Sequence, residues 1–182
     1  MNILYIHNLG GSKIDEDSKL IEKITVDTNN NFFSLDLPFN PVDAVMSIEK
    51  IIKKNKIDVL IGFGLGGFYA LCSSIVFKDL KIFLFNPLLV PCETLKTQKG
   101  YGIKEYEAVR ENKVLKYVLD DDFYHSLKGL ESVLKQVSKN ENYFAFFNEN
   151  NPSDYKIFEK YGKSELGLKC VFLLKLLSVL KN

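Results

Sequence analysis

The sequence contains no tryptophan, a single arginine (Arg110) and only two histidines, His7 and His125. One arginine cannot build a clamp for phosphates or carboxylates, since a bidentate guanidinium fork has no lysine substitute. Acidic and basic residues nearly cancel, 23 against 24, so no field steers the chain toward nucleic acid or an anionic membrane surface. Cysteines are few and widely spaced: Cys72, Cys92 and Cys170. An odd number with no paired spacing fits reduced thiols better than a disulfide framework or a metal site, and a cytoplasmic location is expected. Long apolar runs are absent as well. "CVFLLKLLSVL" is broken by Lys175 and falls short of the ~20 residues needed to cross a bilayer. "MNILYIHNLGG" carries no basic leader and reads directly as a strand, so no secretory signal is expected.

What remains is an ordinary globular composition, 46% hydrophobic over 182 residues, which suits one domain with a sizeable core. Short apolar runs alternate with amphipathic ones. Strands are expected at 2–6, 32–37, 57–63, 81–85 and 143–147, with helices at 15–24, 40–55 and 66–77 and one ending the chain. Asn40 caps the second helix, Pro41 occupies its first turn, and Val42, Val45, Ile48, Ile51 and Ile52 are assigned to its apolar face. Between Leu88 and Asn142 the pattern suggests no strand, only helices near 103–119 and 126–139. A short strand is placed near 155–161. The alternation predicts a mostly parallel α/β sheet with helices on both faces, in three layers, with a helical cap insertion at 88–125. Ligands of such sheets bind outside the carboxyl ends of the strands, here the segments starting at His7, Gly62, Asn86 and Asn148.

The third strand runs into "GFGLGG", where three readings compete. Gly62, Gly64 and Gly67 match the G-x-G-x-x-G of a nucleotide site, yet the next strand ends in Asn86-Pro87 where an acidic residue should hold the ribose. As a G-x-S-x-G elbow, Gly62 and Gly66 supply the small flanking residues and Gly64 stands where the nucleophilic serine belongs. Glycine tolerates the positive φ of such a turn. The plain alternative is close helix–strand packing, which accounts for one or two glycines more readily than four in six residues.

"LYIHNLGGS", "NPVDAVMSIEKIIKKNKIDVLIGFGLGGFYAL" and "IFLFNPLLVP" together resemble the small YqiA/YcfP-like esterases of the α/β-hydrolase superfamily, in the branch with glycine in the nucleophile slot. The match covers residues 1–92 well and only the element order beyond. The resemblance implies an α/β-hydrolase fold, ancestral ester hydrolysis and a bacterial cytoplasmic protein. It places an oxyanion hole at the N–H of Leu65 and the Asn8-Leu9 loop, with Ser12 nearby as a possible ligand contact. The triad acid should follow the fifth strand, where Glu149 and Asp154 are available. The histidine should come later still, before the last helix, but none occurs between 126 and 182.

With neither nucleophile nor base, the expectation is a protein that has lost serine-hydrolase activity and binds a small acyl or carboxylate ligand, or a protein partner. One alternative is an ester hydrolase using His7 as base with Glu149 and a water. The other is a nucleotide-binding module on Gly62, Gly64 and Gly67. No cofactor or metal is expected. Asp120, Asp121, Asp122 and His125 are read as a helix-capping turn, Ser73 and Ser74 as lying too far along the helix from Gly64 to act as nucleophiles, Cys72 as a small core residue, and Cys92 as an unactivated thiol.

Overall fold

The computed structural model describes residues 1–108, 113–148 and 152–181. Six strands form one parallel sheet: β1 (Asn2–Ile6), β2 (Asn31–Ser34), β3 (Val59–Phe63), β4 (Lys81–Phe85), β7 (Tyr143–Phe147) and β8 (Lys163–Leu166). Their spatial order is β2-β1-β3-β4-β7-β8, every neighbouring pair parallel. The chain steps outward from β1 to β2 and then crosses back to β3 on the other side. This reversal leaves a crevice at the carboxyl ends of β1 and β3, where open α/β sheets take ligands.

Alternation along each strand divides the interior into two layers. Leu4, Ile6, Leu60, Ile82, Leu84, Ala145 and Phe147 face the helices α2 (Pro41–Asn55), α3 (Leu65–Ser73) and α5 (Asp121–Leu134). Ile3, Tyr5, Val59, Ile61, Phe63, Phe83 and Phe146 face α1 (Glu16–Asp27) and α7 (Lys169–Leu180). Both faces are covered, so the central strands are continuously apolar. On the second face Phe172 of α7 is fully buried and meets the rings of Phe63, Phe85 and Phe146 at 5.4–5.6 Å.

Helix α2 begins as expected: Asn40 Oδ1 accepts from the N–H groups of Val42 and Asp43, and Pro41 sits in the first turn. Its buried face differs by one position, because Ala44 packs inward while Val42 is 41% exposed. The segment expected to be helical at 103–119 is instead an antiparallel pair, β5 (Gly102–Ala108) and β6 (Lys113–Leu119), preceded by helix α4 (Pro91–Lys99). Glu, Lys and Ala favour helix locally, but propensity is a weak prior beside cross-strand pairing and tertiary contact. Here Tyr117 stacks on Phe39 at 4.7 Å and Leu119 is fully buried. The strand placed at 155–161 is likewise corrected: Pro152–Phe158 is helix α6, and the strand follows at Lys163–Leu166. Among the described residues no helix is long and apolar enough to cross a membrane.

Candidate functional site

Gly64 links β3 to α3 with φ +52 and ψ −119, a conformation that L residues seldom adopt. The glycines around it are forced by sterics. A Cβ on Gly62 would lie 2.7 Å from Gly67 Cα, and one on Gly66 would collide with the backbone oxygens of His7 and Ile6. A Cβ on Gly67 would come within 2.8 Å of Pro87 Cβ. The "GLGG" and "FNP" stretches therefore occur together because one packs on the other. The turn is closed by backbone bonds: Gly64 N–H donates to Phe85 O, while Gly67 N–H and Leu88 N–H both donate to Gly64 O.

Beside this turn lies the loop after β1. His7 is buried and both its ring nitrogens are engaged: the Leu37 N–H donates to Nε2 at 3.1 Å, and Nδ1 lies 2.7 Å from Asn8 O. A backbone N–H can only donate and a carbonyl can only accept, so the ring is the Nδ1–H tautomer. Ser12 is buried away from the cleft, its Oγ accepting from Ile14 N–H within its own turn. Asn8 is exposed toward the cleft, and its Oδ1 accepts from both Leu9 N–H (2.8 Å) and Leu65 N–H (2.9 Å). The resemblance implies an oxyanion hole at the Leu65 N–H and an N–H of the Asn8-Leu9 loop, and both of the donors that Asn8 Oδ1 meets come from these segments. A Cβ on Gly64 would land on Asn8 Oδ1 and Cγ, with Nδ2 at 2.8 Å.

The cleft above the strand ends has a volume of about 760 Å³. Asn8, Leu9, Phe63 and Gly64 form its floor, and Phe85, Asn86 and Asn148 extend it past β4 and β7. Val90, Thr94, Leu95, Gln98 and Lys99, from α4 and the residue before it, make one wall; Asp154 and Ile157 of α6 contribute another. Asp154, a candidate acid, is only 6% exposed and lines this cleft. Glu149 lies outside the described residues. Asn86, whose side-chain role carries no signal in the sequence, adopts φ +45, and its Oδ1 accepts from Asn148 N–H at 2.7 Å, tying the ends of β4 and β7. Asparagine is among the few residues that tolerate this region.

The loop between β8 and α7 reads Gly167-Leu168 and holds no histidine. The next residue, Lys169, forms an ion pair with Asp17 of α1, a residue on the cleft margin, and its Nζ sits 5.5 Å from the centre of the Phe63 ring.

The remaining sequence candidates lie elsewhere. Asp120 Oδ1 caps α5 by accepting from Phe123 N–H, and His125 is exposed on that helix. Ser73, Ser74 and Cys72 are buried in α3 and just after it. Burial raises the thiol of Cys72 above its ordinary range and raises that of Cys92 as well, which leaves little thiolate at neutral pH.

Residues 2–158 match the model of the uncharacterised protein family UPF0227, the YqiA-like family that the motifs resemble. The chain belongs to this family. The fold of the chain is similar to that of solved α/β-hydrolase esterases and lipases. The monoacylglycerol lipase of Paleococcus ferrophilus superposes with a TM-score of 0.71 at 12% identity, covering 99% of this chain and 93% of its own. Est1E from Butyrivibrio proteoclasticus, solved with ferulic acid bound, gives 0.64 at 12% identity, over 99% and 86%. Mouse alpha/beta hydrolase domain-containing protein 10 gives 0.67 at 12%, over 98% and 87%. At such identities the likeness is one of fold. A search of curated protein sequences finds no match.

Proposed function

We propose that this UPF0227 member is a non-hydrolytic, cytoplasmic binding protein that receives a small acyl or carboxylate compound in the cleft between Asn8, Asn148 and α4. The observation that carries this reading is Gly64: it holds an elbow conformation but has no hydroxyl, and the volume a side chain would need belongs to Asn8. Hydrolysis through an acyl-enzyme needs a nucleophile and a base within reach of each other. Here the first is absent and the loop for the second holds Gly167-Leu168. An esterase running on His7, Glu149 and a water is disfavoured, because both nitrogens of His7 are already bonded. A nucleotide site on Gly62, Gly64 and Gly67 is disfavoured because β4 ends in Asn86-Pro87, where an acidic residue should hold the ribose.

Two measurements test the reading on the purified chain. A fluorophosphonate probe should give no adduct by intact mass, since no serine lines the cleft among the described residues. Short-chain carboxylates from acetate to hexanoate should raise the melting temperature in a saturable way, while NAD and ATP should not. Stoichiometric fluorophosphonate labelling, or stabilisation by NAD alone, contradicts it.

A further inference from the structure

The two N–H groups at the elbow already hold an oxygen, and that oxygen belongs to the chain. We propose that Asn8 is an internal ligand of this site: its amide carbonyl stands in for the carbonyl or carboxylate oxygen of a bound molecule, and an outside ligand must displace it. The inference rests on the ligand-binding reading above for the identity of the competitor.

Three observations carry it. Leu65 is the first residue of α3, so its N–H has no partner within the helix and requires an acceptor from elsewhere. Leu9, from a different loop, aims its N–H at the same atom, and the two distances, 2.8 and 2.9 Å, are those of full hydrogen bonds. The amide also fills the volume over Gly64, where a Cβ would overlap Oδ1 and Cγ. One side chain thus covers both the donor pair and the place of a nucleophile's side chain. Because Asn8 is solvent-exposed on the cleft side, rotation about its χ1 opens the site without disturbing either core layer.

Competition favours the internal group. A tethered ligand has an effective concentration in the millimolar range even on a short flexible linker, and Asn8 is adjacent in sequence to one of its two donors. A free carboxylate that makes the same two bonds must also give up its translational freedom. Asn8 accordingly sets the affinity of the cleft for anything ending in a carbonyl oxygen, and Gly64 and Asn8 are coupled, since a side chain at 64 and the inward rotamer of Asn8 exclude one another.

Butyrate titration of the full chain, labelled with ¹⁵N, tests this in wild type, Asn8→Ala and Asn8→Asp. In Asn8→Ala the dissociation constant for butyrate should fall at least tenfold, with the largest shifts on the Leu9 and Leu65 amides. Asn8→Asp keeps an oxygen on both donors and adds a negative charge, so it should bind butyrate more weakly than wild type. Equal affinity in wild type and Asn8→Ala, with both amides moving alike, overturns the internal ligand and leaves the binding reading standing. Binding in Asn8→Ala alone upholds the internal ligand and removes the wild-type binding reading. Failure of Asn8→Ala to bind at all overturns the inference. The wild-type protein offers a check that needs no variant: a scalar coupling across the hydrogen bond from Leu65 ¹⁵N to Asn8 ¹³Cγ should be present, and its absence overturns the assignment.

Discussion

The ends of β1, β3 and β7 line one cleft, and Lys169 after β8 pairs with Asp17 on its margin; the β1–β3 side and the β7–β8 side differ in how they are made. At β1 and β3 the site consists of backbone: the left-handed turn at Gly64, the Leu65 and Leu9 N–H groups, and glycines pressed against His7, Ile6 and Pro87. At β7 and β8 an ester-cleaving site would consist of side chains, and there the loop before α7 carries Gly167-Leu168 and then Lys169 bonded to Asp17. The contrast teaches that backbone parts of such a site double as packing parts and cannot vary without loss of the fold. Side-chain parts project into the cleft and can be exchanged freely.

Two glycines break or sharpen that contrast most strongly. Gly66→Ala drives a methyl into the backbone oxygens of His7 and Ile6, neither of which can retreat without moving β1. A loss of about 3 kcal/mol or more is expected, a fall in melting temperature of roughly 6–12 °C, or no folding. Gly167→Ala meets only Val171, its nearest atom 3.6 Å away, and should change stability by less than about 0.5 kcal/mol in a urea melt. Similar losses in both would remove the distinction.

Gly64→Ser comes next. It combines a strained φ with displacement of Asn8, so a loss of about 1–3 kcal/mol is expected. It should not produce ester hydrolysis, because no base accompanies the new hydroxyl; a robust gain would show that the histidine loop is dispensable.

The elbow side also holds buried ionisable groups. Burial raises the hydroxyls of Tyr5 and Tyr69 and the thiol of Cys72 well above their ordinary values of 10.0, 10.0 and 9.0. Above those ordinary values the unfolded chain releases protons that the folded chain retains. Stability is therefore full below about pH 9 and falls as pH rises, each group adding up to about 1.4 kcal/mol of loss per pH unit. Urea midpoints between pH 7 and 11 should show the decline, and Cys72→Ala should delay its onset.

A small effect is expected at the other end as well. Lys169→Met removes an ion pair whose partners are 39% and 33% exposed, and solvent screening holds the change in stability to within about 1 kcal/mol. A larger loss would make this corner a packing element like the elbow.

Much of the fold was legible in the sequence because apolar runs bounded by turn residues mark buried parallel strands; β4 and β7 fall at 81–85 and 143–147 as read. The β5–β6 pair was not, since its strands owe their form to each other and to Phe39, while Glu, Lys and Ala within them signal helix. β8 was misplaced because "KSEL" is an edge strand, mostly polar and exposed. Gly64 at the turn and the absence of histidine after residue 125 could be read from residue identity alone. The position of the Asn8 amide could not, because it depends on how the end of β1 meets the start of α3, 57 residues later.

Whether the cleft hydrolyses esters is decided by steady-state assays with p-nitrophenyl acetate and butyrate on the wild-type chain, beside His7→Ala and a serum-albumin background. No saturable turnover above that background is expected, and no difference between wild type and His7→Ala. Saturable turnover that disappears in His7→Ala would contradict the non-hydrolytic reading.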